Sequence, residues 1–345
     1  MKKLFLMLAA AAAVASCSKD YTIVADQGEA IEFGSFVENS TRADAATDPS
    51  YSTTGKGTAL TQFNVYGAVG GVNIFNGNAV TKGGDDVDYG DAWTLTGAKQ
   101  YWINGADYEF VAVVDGNKSV TVDETTTVIT KTTLWETTGI PNFITYKSDG
   151  ATDLLCKRVV RNANAQGITD TSLVGFQFTH LLSKVKFSVK NTTDAGATNY
   201  RIVLTEAKIT GALANSTYVV STGSWTNDLN PTTKDFTLEN LTINSAAQQY
   251  HPTELLLLPG VNVGVTVTAN IEATDDNWTS YKVVSTIQKT FNNVLGKTGE
   301  TLNVLEANKA YHFAVTMGVG TEIQFTATTM PEWVDGDGDD DTPLQ

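Results

Sequence analysis

The residues best suited to chemistry stand near the start of the chain, in Val14-Ala15-Ser16-Cys17. Small side chains ahead of the cut are what a signal peptidase needs, and a cysteine just after it offers a thiol for diacylglycerol. Lys2 and Lys3 form a positive n-region, and Leu4 to Val14 is an apolar run of eleven residues. That is short of the ~20 residues that cross a bilayer core, and it suits the apolar part of a signal peptide. Residues 1–16 therefore read as a lipoprotein signal peptide, and Cys17 as the lipidated residue. Ser18 and Lys19 follow as a short polar tether, and the acyl chains are the membrane attachment to expect.

Other constellations fail on geometry. Gly296-Lys297-Thr298 looks like the end of a phosphate-binding loop, but the first glycine of that loop would be Phe291. Ser183-Lys184-Val185-Lys186 has the spacing of acyl-transfer enzymes. That spacing needs a helical turn, and on a strand positions i and i+3 point to opposite faces. His180, His251 and His312 are far apart and lack metal-ligand spacing. Asp335 to Asp341 resembles the start of a calcium loop, but the chain shown has no glutamate at the twelfth position. A solvated acidic tail, 335–345, is the simpler expectation. No catalytic set, metal or cofactor is expected.

Strands must position whatever function remains. Leu60, Phe63, Val65 and Gly67 fit a half-buried strand over 59–69, and Tyr108 to Val114 a more buried one. The run 176–190 alternates, with Val185, Phe187 and Val189 on one face and Lys184, Lys186, Ser188 and Lys190 on the other. Further strands are expected at 200–210, 217–221, 235–243, 253–258, 261–272, 280–291, 310–317 and 321–328. Short strands at regular spacing, separated by Gly, Asn and Asp, indicate an antiparallel sandwich or barrel. Residues 41–58 are small and polar and read as a linker. A second soft boundary near 162–173 suggests two domains of similar size.

Composition agrees. The chain is 41% hydrophobic, enough for real cores, and its formal charge of −15 disfavours nucleic acid and anionic membrane surfaces. With Cys17 committed to lipid, Cys156 stands alone, so no intrachain disulfide is expected, and Cys156 reads as a small core residue.

Between lipid and linker lies Ile31-Glu-Phe-Gly-Ser-Phe36, an amphipathic strand followed by Val37-Glu-Asn-Ser-Thr-Arg42-Ala43. Here the sequence resembles the fimbrillin family, the Mfa-like subunits of Bacteroidia-type (type V) pili. The resemblance continues through Phe63-Asn-Val-Tyr-Gly67, Asp153-Leu-Leu155 and Phe176-Gln-Phe-Thr-His-Leu-Leu-Ser-Lys-Val-Lys-Phe187. It ends with Asn308-Lys-Ala-Tyr311, Ile323-Gln-Phe-Thr-Ala327 and Glu332-Trp333. It implies an all-β chain of two tandem transthyretin-like antiparallel Greek-key sandwiches. The expected division is a lipidated pro-segment 17–42, domains 43–172 and 173–334, and the acidic tail.

The same resemblance implies a function. The precursor would reach the outer membrane as a lipoprotein. An arginine-specific or trypsin-like protease would cut between Arg42 and Ala43, releasing the strand that carries Ile31, Phe33 and Phe36. The vacated edge would take a strand of the next subunit, head to tail, in a cell-surface fimbrium supporting adhesion. Implied partners are other fimbrial subunits, the protease, the outer membrane, and host or bacterial surface glycoproteins. Ile323, Phe325, Ala327 and Trp333 mark the candidate C-terminal donor region. If 321–328 belongs to its own domain's sheet, only about Met330 to Val334 remains apolar beyond it, as in a tip or anchor subunit. A competing class is a surface glycan-binding lipoprotein, using Trp93, Trp102, Trp135, Trp225 and Trp278 as a stacking platform.

Overall fold

The computed structural model describes residues 29–37, 60, 62–82, 93–103, 105–114, 129–132, 140–162, 173–192, 199–226, 231–238, 241–243, 248–274, 280–295 and 304–330. Cys17, Arg42, Ala43, Trp135, Trp278, Trp333, the linker 41–58 and the acidic tail lie outside the described residues. Every regular element among the described residues is a strand. The first half holds β1 (Glu32–Val37), β2 (Gln62–Val69), β3 (Val72–Lys82), β4 (Trp93–Leu95) and β5 (Asp107–Val114). It continues with β6 (Ile129–Thr132), β7 (Phe143–Lys147), β8 (Leu155–Asn162) and β9 (Leu173–Phe178). The second half opens with β10 (Ser183–Asn191), β11 (Tyr200–Leu213), β12 (Asn215–Val219), β13 (Ser224–Trp225), β14 (Thr233–Leu238) and β15 (Leu241–Ile243). It closes with β16 (Gln249–Tyr250), β17 (Leu255–Leu257), β18 (Gly264–Thr274), β19 (Tyr281–Phe291), β20 (Ala310–Met317) and β21 (Gln324–Met330).

The halves share a plan. In the first, the sheet β4-β3-β2-β5-β8 faces the parallel pair β1-β9. In the second, β14-β11-β18-β19, with β15 also on β11, faces β16-β10-β20-β21, with β17 also on β10. There too the first strand, β10, runs parallel to the late strand β20, while the remaining pairings are antiparallel. Two facing sheets with buried inner rows are a sandwich, as alternation predicts. Tyr311, Phe313, Val315 and Met317 of β20 are all buried, alternating with half-buried residues.

Each sandwich has its own core. Phe63, Phe75, Phe110, Phe176 and Phe178 fill the first, and Phe187, Val189, Val265, Phe313 and Val315 the second. Strand β9, which the sequence reading places in the second half, buries Val174, Phe176 and Phe178 in the first core. The run expected as one strand over 176–190 breaks at Thr179–Leu182 into β9 and β10. At the break Leu181 N–H donates to the Leu154 carbonyl at 3.0 Å, and His180 bridges Leu155. A third core joins the halves: Val111, Val113, Tyr146, Leu154 and Cys156 meet Leu182, Leu213, Tyr218 and Leu258. The sheet β13-β12-β7-β6 takes two strands from each half.

Candidate functional site

Strand β1 lies ahead of the expected linker 41–58, apart in sequence from the other strands of the sandwich it completes. Its register with β9 runs from Glu32 opposite Leu173 to Val37 opposite Phe178, and the backbone of Phe36 pairs with Gln177. Ile31 and Phe33 are 3% and 2% exposed, which makes them full core members. The Phe33 ring stands edge-on to Phe75 (5.2 Å) and Phe110 (5.7 Å) and stacks on Phe176 (5.9 Å). Burying two such side chains stabilises by about 3–6 kcal/mol, a sizeable share of a domain's net stability.

Sequence alternation explains this seat, and one glycine opens it. A Cβ on Gly67 in β2 would lie 2.8 Å from Phe110 and 2.9 Å from Phe75. Only glycine therefore lets those two rings close behind Phe33.

The start of the strand is held by a loop. Ile31 N–H donates to the Gln100 carbonyl at 2.8 Å, and Trp102 N–H donates to the Glu29 carbonyl at 3.0 Å. The loop is itself pinned, because Ile103 N–H donates to the Tyr108 hydroxyl at 2.5 Å. Burial pushes the Tyr108 phenol up, partly offset by that bond. Neither Phe75 of β3 nor this loop is visible in the sequence pattern. Asn and Gly interrupt the alternation of β3, and 100–103 is not a strand.

At the other end of the chain, β21 is antiparallel to β20 and forms an edge of the second sandwich. Ile323 is buried, and Phe325 packs against Phe291 (5.2 Å) and Phe313 (5.6 Å). Ala327 lies half-buried on the same core. The candidate donor residues among the described ones thus serve their own sheet in this state.

The residues searched for chemistry go elsewhere. His180 Nδ1 meets Asp153 at 2.5 Å with both side chains buried, His312 Nε2 meets Ser188 Oγ at 2.6 Å, and His251 Nδ1 accepts from Thr253 N–H. Lys184, read on the face opposite Val185, Phe187 and Val189, is 4% exposed and paired with Glu254 at 2.8 Å. Cys156 is buried and forms no disulfide. Beside it, burial first and the thiol's charge second push the Tyr218 phenol up to about 12. Among the described residues no three His, Cys, Asp or Glu are grouped to hold a metal.

The tryptophan platform is corrected for the described residues. Trp93 packs on Phe63 (5.0 Å) and Trp102 on Tyr108 (4.8 Å), while Trp225 packs on Tyr218 (5.4 Å) in the third core. These rings are half-buried in two different cores, Trp93 and Trp225 from strands and Trp102 from the loop that holds the start of β1.

Solved structures share the fold. A fimbrial protein of Bacteroides vulgatus superposes with a TM-score of 0.57 at 15% identity, over 88% of this chain and 99% of its own. A Bacteroides uniformis protein assigned to cell adhesion gives 0.52 at 15% identity, over 90% and 99%. A Bacteroides ovatus protein so assigned gives 0.51 at 13% identity, over 90% and 100%. No curated protein matches the chain. The model of the fimbrillin-like family matches residues 41–333, and the chain belongs to that structural, non-enzymatic family of the cell-surface fimbrium.

Proposed function

We propose that this fimbrial subunit is made as a lipoprotein on Cys17 and assembles by strand exchange after cleavage between Arg42 and Ala43. Its two sandwiches are then the tandem transthyretin-like units of the family. The observation that carries the reading is the seat of β1. Two fully buried side chains and one strand pairing complete a core whose other strands all lie beyond the linker. Removing the segment exposes the edge of β9 and an aromatic pocket, and an unpaired edge templates another strand. A strand of the next subunit fills it, with backbone bonds giving affinity and alternate side chains giving specificity. The contact is head to tail and does not close, so it propagates. Surface glycoproteins would be the target of adhesion.

One observation favours a second position in the filament. Because β21 sits in its own sheet, a chain that never releases it would accept a strand without donating one, as a tip or anchor subunit does.

The test is digestion of the folded, unlipidated precursor, from Ser18, with an arginine-specific protease. Mass spectrometry locates the cut, and unheated electrophoresis detects ladders. A single cut after Arg42 followed by ladders supports a self-assembling subunit. A cut without ladders supports the terminal position. A resistant Arg42 with the N-terminal segment retained overturns the processing reading.

A further inference from the structure

The loop that grips the start of β1 leaves one group unsatisfied. Ala30 bridges Tyr101 in antiparallel register, which puts Trp102 opposite Glu29. Opposite residues share a face, and here it is the face on which Ile31 and Phe33 enter the core. The Trp102 ring packs edge-on to Tyr108 and to Phe110 (6.0 Å), and Phe110 touches Phe33. Yet its indole N–H is buried without an acceptor, one of three such atoms among the described side chains, with Ser148 Oγ and Asn308 Oδ1. Buried donors are almost always paired in native proteins. Glu29, across from it, is exposed and does not take this proton.

We propose that Trp102 is a specificity-determining residue of strand exchange. The resident strand leaves its indole N–H unpaired, and the incoming strand brings a side-chain acceptor two positions ahead of the residue filling the Ile31 pocket. The inference rests on the strand-exchange reading above. The C-terminal strand of a second copy has the required pattern. Ile323-Gln324-Phe325 repeats the Ile31-Glu32-Phe33 spacing, and Thr321 falls where Glu29 stands. Its hydroxyl is short and uncharged and has two lone pairs. In its own fold that hydroxyl donates to the Gly318 carbonyl at 3.1 Å and lies 3.5 Å from the Thr192 hydroxyl, contacts that it gives up when the strand moves to a neighbour. Exchange then replaces a strand that strands a buried donor with one that satisfies it.

The experiment uses the chain cleaved after Arg42 and a fluorescein-labelled peptide of residues 319–330, with anisotropy as readout. Trp102→Phe keeps a ring and removes the N–H, and Thr321→Val in the peptide keeps the shape and removes the acceptor. Each change alone should weaken binding on the order of tenfold, about the worth of one net hydrogen bond. The two together should weaken it no further, which identifies one shared bond. Equal binding by all four combinations overturns the role of Trp102 and leaves the groove reading standing. No binding by the parent pair overturns both.

Discussion

Strands β1 and β10 open their halves in the same way, each parallel to a late strand of its own sandwich, but they are held differently. Strand β10 lies between β20 on one side and β16 and β17 on the other, and buries Val185, Phe187 and Val189. Polar contacts add to this: Ser183 Oγ donates to the Glu306 carbonyl at 2.7 Å, and Lys184 pairs with Glu254. Among the described residues, strand β1 has one strand partner and a loop at its start, and contributes Ile31 and Phe33. The same topology therefore holds its opening strand by two edges in one half and, among the described residues, by one edge in the other. The number of occupied edges makes the difference.

The largest effect should come from Phe187→Ala. It should destabilise the main unfolding transition by about 3–5 kcal/mol, read from denaturant melts. Phe33→Ala deletes the same ring, but its loss should appear first as local opening of β1. Hydrogen exchange of the β9 amides should speed up while the main midpoint moves less than half as far. A Phe33→Ala midpoint shift as large as that of Phe187→Ala would break the comparison, because β1 would then unfold only with everything else. Gly67→Ala should destabilise the first sandwich by about 1–3 kcal/mol through overpacking, with the same β9 exchange signature. The smallest effect is electrostatic and belongs to neither strand. The folded chain holds the Tyr218 proton more tightly than the ordinary phenol value of 10.0 allows, with the folded value at about 12. That contribution is whole below pH 10.0 and lost as pH rises through about 12. Thermal melts at mildly and strongly alkaline pH should show a loss that Tyr218→Phe reduces.

Alternation made much of this legible. The segment Ile31 to Phe36 matches β1 within a residue, 310–317 matches β20, and Val185, Phe187 and Val189 face the core as read. Strands β3 and β8 escape the pattern because Asn and Gly interrupt one, and Lys157, Arg158 and Arg161 load the edge position of the other. The break at Thr179–Leu182 is set by contacts to Leu154 and Leu155, more than twenty residues away, which no local period encodes. Parallel pairing of β1 with β9 is likewise a long-range fact. Of the candidate site, the buried side chains could be read, whereas the loop of Trp102 could not.

The mixed sheet has a mechanical consequence. Five residue pairs, from Asn215 opposite Lys147 to Val219 opposite Phe143, stitch β12 of the second half to β7 of the first. A chain pulled from both ends would not stretch at the junction of its halves until that ladder ruptures. Under tension the two sandwiches behave as one stiff link, and any elastic give in a fibre of such links falls to the segments between neighbours.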